Sequence, residues 1–340
     1  MPFTITVAAG CLNASSKDAI SNSFVFGTIW MRRSTGARCI LPWLFALGCT
    51  HRPSPSATIP PVHHEQSIQP GVLPPTWYAG SADGGGREDF QVHAYNDDFY
   101  ILRQAAYTNY EKPFLYLLFG QERAILFDTG AGKVKVGAAV DGIIRGWLAR
   151  HGRQSIPLIV AHSHGHGDHV AGDDQFLNRP GITVVGRDTA SVRAFFGIHR
   201  WPDEIVTFDL GGREIDVLPI PGHQPASIAV YDRQTGIMLT GDTFYPGRLY
   251  VRDSAAFANS IQRLVDFTHD RPVAHFLGTH IENTSVPFRD YPVGTVDQPD
   301  EHALQLTRAQ LVELNDRIRA MRGHLTRLVM TDLTIWPVAP

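Results

Sequence analysis

Cysteine is scarce and confined to one end of the chain. Three cysteines, Cys11, Cys39 and Cys49, occur in 340 residues, and everything after residue 49 lacks a thiol. That excludes an internal disulfide and a soft thiolate metal ligand from the long C-terminal part. A basic excess is also missing: 30 Lys and Arg stand against 33 Asp and Glu, for a net charge of −3. No Lys/Arg stripe interleaves with aromatics, so a nucleic-acid partner is not expected. A bilayer-spanning run is absent too, because Ile40 to Leu47 (ILPWLFAL) is too short to cross as a stable helix. There is no short-period repeat. What is present is 43% hydrophobic and 19% charged residues, ample for a large core and unlike a disordered chain. The length could hold two domains or one large α/β unit.

The first 49 residues read as a targeting segment. Met31 opens a second start, followed by Arg32, Arg33 and Arg38, the apolar run Ile40 to Leu47, and Gly48-Cys49. This is the order of a bacterial lipoprotein signal, with lipidated Cys49 as a membrane attachment and export to the periplasm or outer membrane as the expected address. The position three before the cysteine lacks the usual large apolar residue. Residues 50 to 85 follow as a tether, with Pro53, Pro55, Pro60, Pro61, Pro70, Pro74 and Pro75 favouring an extended spacer. Residues 86 to 340 form the expected catalytic domain, closing with a helical extension.

Within that domain, Ile159 to Val170 reads IVAHSHGHGDHV, and His164, His166, Asp168 and His169 crowd four potential metal ligands into six residues. Imidazole nitrogen and carboxylate oxygen suit zinc, and also iron or manganese, while Gly165 and Gly167 let the loop fold around an ion. The cluster follows an apolar stretch, Leu158 to Val160, as a loop at a strand end would. Strands are expected at 99–102, 114–119, 124–127, 157–161, 182–186, 205–209, 213–219, 227–231 and 236–240, with Gly120-Gln121 as a hairpin turn. Helical spacing covers 136–148, and further helices are expected at about 171–178, 188–196, 254–268 and 304–322. Strands grouped in two halves, each followed by helices, fit two sheets packed face to face with helices outside.

The His-x-His-x-Asp-His pattern resembles the metallo-β-lactamase superfamily. Phe127-Asp128-Thr129-Gly130, Pro221-Gly222-His223, Gly241-Asp242-Thr243 and Gly278-Thr279-His280 match four further signatures of that superfamily in order, over about residues 90 to 285. The resemblance implies a four-layer αββα sandwich. It also implies a site for two divalent metal ions, zinc foremost with iron or manganese open: His164, His166 and His223 on the first, Asp168, His169 and His280 on the second, Asp242 bridging. Asp128 would orient ligands by hydrogen bonds. The absence of a downstream cysteine sets the chain apart from β-lactamases that place one in the second metal site.

The implied activity is hydrolysis by a metal-bound hydroxide of an ester, thioester, lactone or β-lactam carbonyl in a small-molecule substrate, with Asp168, Asp242 and Tyr245 at the reaction centre. Tyr245 lies three residues after Asp242, similar to a tyrosine of acyl-homoserine lactonases, whereas the GDT start and the Asp242 to His280 interval look more like glyoxalase II. Arg308, Arg317, Arg319 and Arg322 fall on one expected helix but match no glutathione-binding motif. Two alternatives remain open at this point: a mononuclear iron, persulfide dioxygenase-like enzyme, or a metal-binding module without catalysis. His162, His199, His269, His275 and His302 lack motif context and are expected to be structural or surface residues.

Overall fold

The computed structural model describes residues 67–81 and 88–338. The targeting segment, including Met31 and Cys49, and the spacer up to residue 66 lie outside the described residues. The remainder contains two six-stranded sheets and a smaller third one. The first sheet has the order β1-β2-β3-β4-β5-β6, from Phe90–Asn96, Phe99–Gln104, Phe114–Phe119, Ala124–Phe127, Leu158–Ala161 and Ile182–Val184. The second has the order β13-β12-β10-β9-β8-β7, from β7 Val206–Asp209, β8 Glu214–Pro219, β9 Ile228–Asp232, β10 Ile237–Gly241, β12 His275–Gly278 and β13 Gln305–Leu306.

Strand alternation sends odd and even positions to opposite faces, and here both faces are apolar. Phe99, Ile101, Phe114, Tyr116, Ile125 and Ile159 meet Ile215, Val217, Ile228, Val230 and Leu239 between the two sheets. Their neighbours Tyr100, Leu102, Leu115, Leu117, Leu126 and Val160 turn outward onto α1 (Val136–Arg150), which offers Val136, Val140, Ile143 and Trp147. On the far side Ala229, Tyr231, Met238 and Phe276 pack against α4 (Ser254–Phe267) and α5 (Arg308–Ala320) through Phe257, Ile261, Leu264, Leu311, Leu314 and Ile318. The result is the expected αββα sandwich. A short helix, α3 (Thr189–Phe196), adds Val192 and Phe196 to the inner core.

Several elements differ from the sequence expectation. The region 171–178 is not a regular helix; the chain forms α2 (Gly167–Val170) and then a 3-10 turn, Asp173–Gln175. The helix expected over 304–322 is preceded by β13 and starts at Arg308, where Thr307 and Gln310 form a reciprocal capping box. β1 carries no expectation because it is an edge strand, FQVHAYN, in which only Phe90 and Tyr95 are buried. The third sheet joins β11 (Arg248–Val251), β15 (Thr334–Pro337) and β14 (Leu328–Val329), with β11 parallel to a segment more than 80 positions later. Residues 67–81, assigned from composition to a free spacer, lie on the sandwich: Val72 N–H donates to Tyr95 O at 3.0 Å, and the Trp77 ring meets Phe114 edge-on at 5.0 Å. Among the described residues no helix is long and apolar enough to cross a membrane.

Candidate metal centre

The ends of β5, β8, β10 and β12 bring the candidate ligands expected from the sequence to one place, and the end of β4 adds Asp128 beneath them. After β5 the chain turns through His162 to His166 and enters α2, whose first turn carries Asp168 and His169. The Thr129 N–H donates to His169 O at 2.7 Å and the Ala171 N–H to Gly130 O at 3.1 Å, docking α2 on the turn after β4. His223 follows β8 at Gly222, whose φ of +140° and backbone contact with Phe257 leave no room for a side chain: a Cβ there would lie 2.4 Å from the Phe257 Cα. Asp242 follows a register shift between Leu239 and Gly241 in the β10–β12 pairing, a bulge that re-aims the strand end.

Among the described residues, two groups of ligating side chains have their atoms mutually within 4.8 Å: His164, His166 and His223, and Asp168, His169, Asp242 and His280. In the first, His164 Nε2, His166 Nδ1 and His223 Nε2 form a triangle with sides of 2.9, 2.9 and 3.2 Å. Burial, then the charge of His169, holds the His164 imidazole well below its usual pKa. Burial and the nearby His223 bring His166 down to about 4, and burial also lowers His223 against the pull of Asp242. Three neutral nitrogens converge on one point. A tetrahedral ion with arms of about 2.0–2.1 Å would space such nitrogens by about 3.3 Å, close to the triangle found.

In the second group, Asp168 Oδ2 lies 3.3 Å from both His169 Nε2 and His280 Nε2. Asp242 stands between the groups: Oδ2 is 3.4 Å from His169 Nε2, 3.6 Å from His223 Nε2 and 3.8 Å from His164 Nε2, while Oδ1 is 3.5 Å from His280 Nε2. His169 Nε2 and Asp242 Oδ1 are buried and make no hydrogen bond. An unsatisfied buried polar group costs about 1–3 kcal/mol, so these orphaned atoms and the acid-and-imidazole donor set fit a divalent ion.

The other edge of three of these imidazoles is held. His169 Nδ1 donates to Asp128 Oδ2 at 2.9 Å, and the same carboxylate accepts the Ser163 N–H and hydroxyl, each at 2.8 Å. Asp128 has φ +68°, a left-handed conformation at the turn below the centre. His223 Nδ1 donates to Tyr250 O at 2.8 Å, and His280 Nδ1 to Glu111 O at 3.0 Å. Each bond fixes the tautomer that leaves Nε2 facing inward. His162 is buried beside Asp173, 3.3 Å from Nε2 to Oδ1, and lies outside both ligand groups.

Tyr245 differs from its expected place. The spacing from Asp242 predicts a hydroxyl facing the reacting carbonyl, but the side chain is 1% exposed and its hydroxyl donates to Arg248 O, with Glu282 Oε2 3.1 Å away. Its ring packs edge-on behind His280, with centroids 5.8 Å apart. The turn through Gly247, whose N–H donates to Tyr245 O, folds the segment back and directs the hydroxyl away. Glu282, unremarked in the sequence, anchors this corner by accepting the Arg248 N–H at 2.6 Å and Arg248 Nη2 at 2.8 Å. Its only sequence signal is an acid two residues beyond His280. Two of the C-terminal arginines have outer-layer partners: Arg308 Nε donates to Thr268 O, and Arg317 pairs with Glu313.

A four-layer sandwich carrying a His- and Asp-lined centre at its strand ends defines a metallohydrolase-type scaffold. The sequence model of the Metallo-beta-lactamase superfamily matches residues 113–324, and the chain belongs to that superfamily. Among curated relatives it is similar to a hydroxyacylglutathione hydrolase of Rhizobium meliloti, 26% identical over 172 residues, covering 50% of this chain and 61% of that protein. It is also similar to an acyl-coenzyme A thioesterase, MBLAC2, of Bos taurus, 24% identical over 239 residues, covering 60% and 81%. The match thus spans about three fifths of the first relative's length. A solved metallo-beta-lactamase from Pontibacter korlensis superposes with a TM-score of 0.46 at 19% identity, over 68% of this chain and 99% of that one.

Proposed function

We propose that the protein is a metal-dependent hydrolase of a small-molecule carbonyl substrate, with thioesters first among the ester, lactone and β-lactam classes. The observation that carries this reading is the Asp242 carboxylate lying within 3.4–3.8 Å of ligand nitrogens from both groups, which suits a site for two ions sharing one acid. Divalent ions held there would lower the pKa of a bound water toward neutrality and polarise the carbonyl under attack. His164, His166 and His223 would hold the first ion; Asp168, His169 and His280 the second. Asp128, Tyr250 O and Glu111 O keep three of those imidazoles aimed inward. Tyr245 packs behind His280 and positions it. The thioester preference draws on the hydroxyacylglutathione hydrolase and acyl-coenzyme A thioesterase relatives.

The test is a panel of acyl thioesters, esters, lactones and β-lactams offered to zinc-loaded protein and to Asp242→Ala. Thioester turnover that falls to background in the variant is expected. A zinc-loaded protein inert toward the whole panel, or an Asp242→Ala variant with undiminished rate, contradicts the proposal. Bound iron with oxygen consumption on a persulfide would instead favour a dioxygenase.

A further inference from the structure

The third sheet turns one face to the helices, and its strand β11 reaches the metal centre through the Tyr250 carbonyl. Leu249, Val251 and Ile335 enter the core with α4 and α5. Strand alternation therefore sends Arg248, Tyr250, Thr334 and Trp336 to the opposite face. Tyr250 and Trp336 are registered neighbours on parallel strands, and their rings lie 6.0 Å apart, tilted by 55°. The exposed Arg327 lays its guanidinium 3.8 Å from the centroid of the Trp336 ring.

This row is fixed to the centre at its inner end. Tyr250 O holds the His223 imidazole, and the Tyr250 hydroxyl accepts Arg248 Nε at 3.0 Å. The two arginines differ in their commitments. Arg248 is neutralised by Glu282 and Asp290, whereas Arg327 makes no ion pair among the described residues and keeps its charge on the outer rim.

Aromatic faces and a guanidinium plane both stack on flat rings, and the positive charge selects an anionic one. We propose that Tyr250, Trp336 and Arg327 form a recognition shelf for a planar aromatic group carrying negative charge, beginning at the strand whose Tyr250 carbonyl holds His223. The shelf rests on the hydrolase reading, since it holds one end of a substrate whose carbonyl sits among the ligands. Two sources share this chemistry: the nucleotide of a carrier thiol and the ring of an aromatic acid. A tripeptide thiol has no ring and gains nothing from stacking.

Calorimetry and tryptophan fluorescence on zinc-loaded protein test the shelf without turnover, using ADP, 2-naphthoate and S-methylglutathione as probes. ADP or 2-naphthoate should bind more tightly than S-methylglutathione and quench Trp336, and whichever of the two binds identifies the source. Arg327→Ala, an exposed change, should weaken the bound probe about threefold. Trp336→Ala should weaken it about tenfold, and Trp336→Phe should restore most of the loss. Equal affinity for all three probes, or ring binding indifferent to both Arg327→Ala and Trp336→Ala, overturns the shelf. Because no reaction is followed, failure here leaves the thioester panel to stand or fall separately.

Discussion

Asp128 shows how much a single side chain can organise. Its carboxylate gathers the Ser163 backbone, the Ser163 hydroxyl and His169 Nδ1, so it fixes both the loop after β5 and the direction of one ligand. Asparagine tolerates the left-handed backbone that Asp128 adopts, so Asp128→Asn removes the charge without adding strain. The expected outcome is folded protein that binds zinc about 10–100-fold more weakly, measured by competition with a chromophoric chelator. An unchanged affinity would show that His169 needs no such partner. The candidate ligand cluster was legible in the sequence because His164, His166, Asp168 and His169 alternate with glycine beyond an apolar strand. Their supports at Glu111 and Tyr250 were not, because these act through backbone carbonyls that every residue possesses.

Among the elements, the turn between β8 and His223 is the most constrained. A methyl group at Gly222 would lie 2.4 Å from the Phe257 Cα on α4, in a backbone conformation that L side chains rarely adopt. Gly222→Ala should therefore lower the melting temperature by several degrees and lower zinc affinity as well, because His223 rides on the same turn. Thermal melts with and without zinc check it: a smaller zinc-induced rise than in the unsubstituted protein is expected, and an equal rise would separate the turn from the centre. Within the two large sheets β2 to β10 could be anticipated, because those strands are short, apolar and separated by local turn signals, whereas β1, β12 and β13 carried no such signal. β11 and β15 could not. RLYV and TIWP are short segments that pair across a long stretch of intervening chain, and nothing local announces the partner. The same limit hid the contact of Tyr245 with Glu282, since its spacing from Asp242 says nothing about the fold-back at Gly247.

At the scale of the molecule, the centre stores charge that metal and protons compete for. Burial alone would lower His280, but the Asp242 charge, with the hydrogen bond and charge of Asp168, raises it to about 9; His169, likewise buried, is raised by Asp242, Asp128 and Asp168. Groups raised in the folded state stabilise it fully below their unfolded value near 6.5, and that contribution is lost as pH climbs through about 9. Metal-free protein should therefore lose stability in denaturant titrations between pH 6.5 and 9.5, while zinc-loaded protein, whose ligands carry no such proton, should not follow that decline. Parallel curves for the two forms would mean that these imidazoles do not hold the ion. The central claim is a two-ion hydrolytic centre built from both ligand groups and joined by Asp242. Its most direct test is zinc titration of metal-free protein with metal content and thioester hydrolysis measured on the same samples. Two ions per chain at saturation, with activity appearing as they bind, is the predicted result; one ion per chain at full activity, or hydrolysis undiminished without metal, would contradict it.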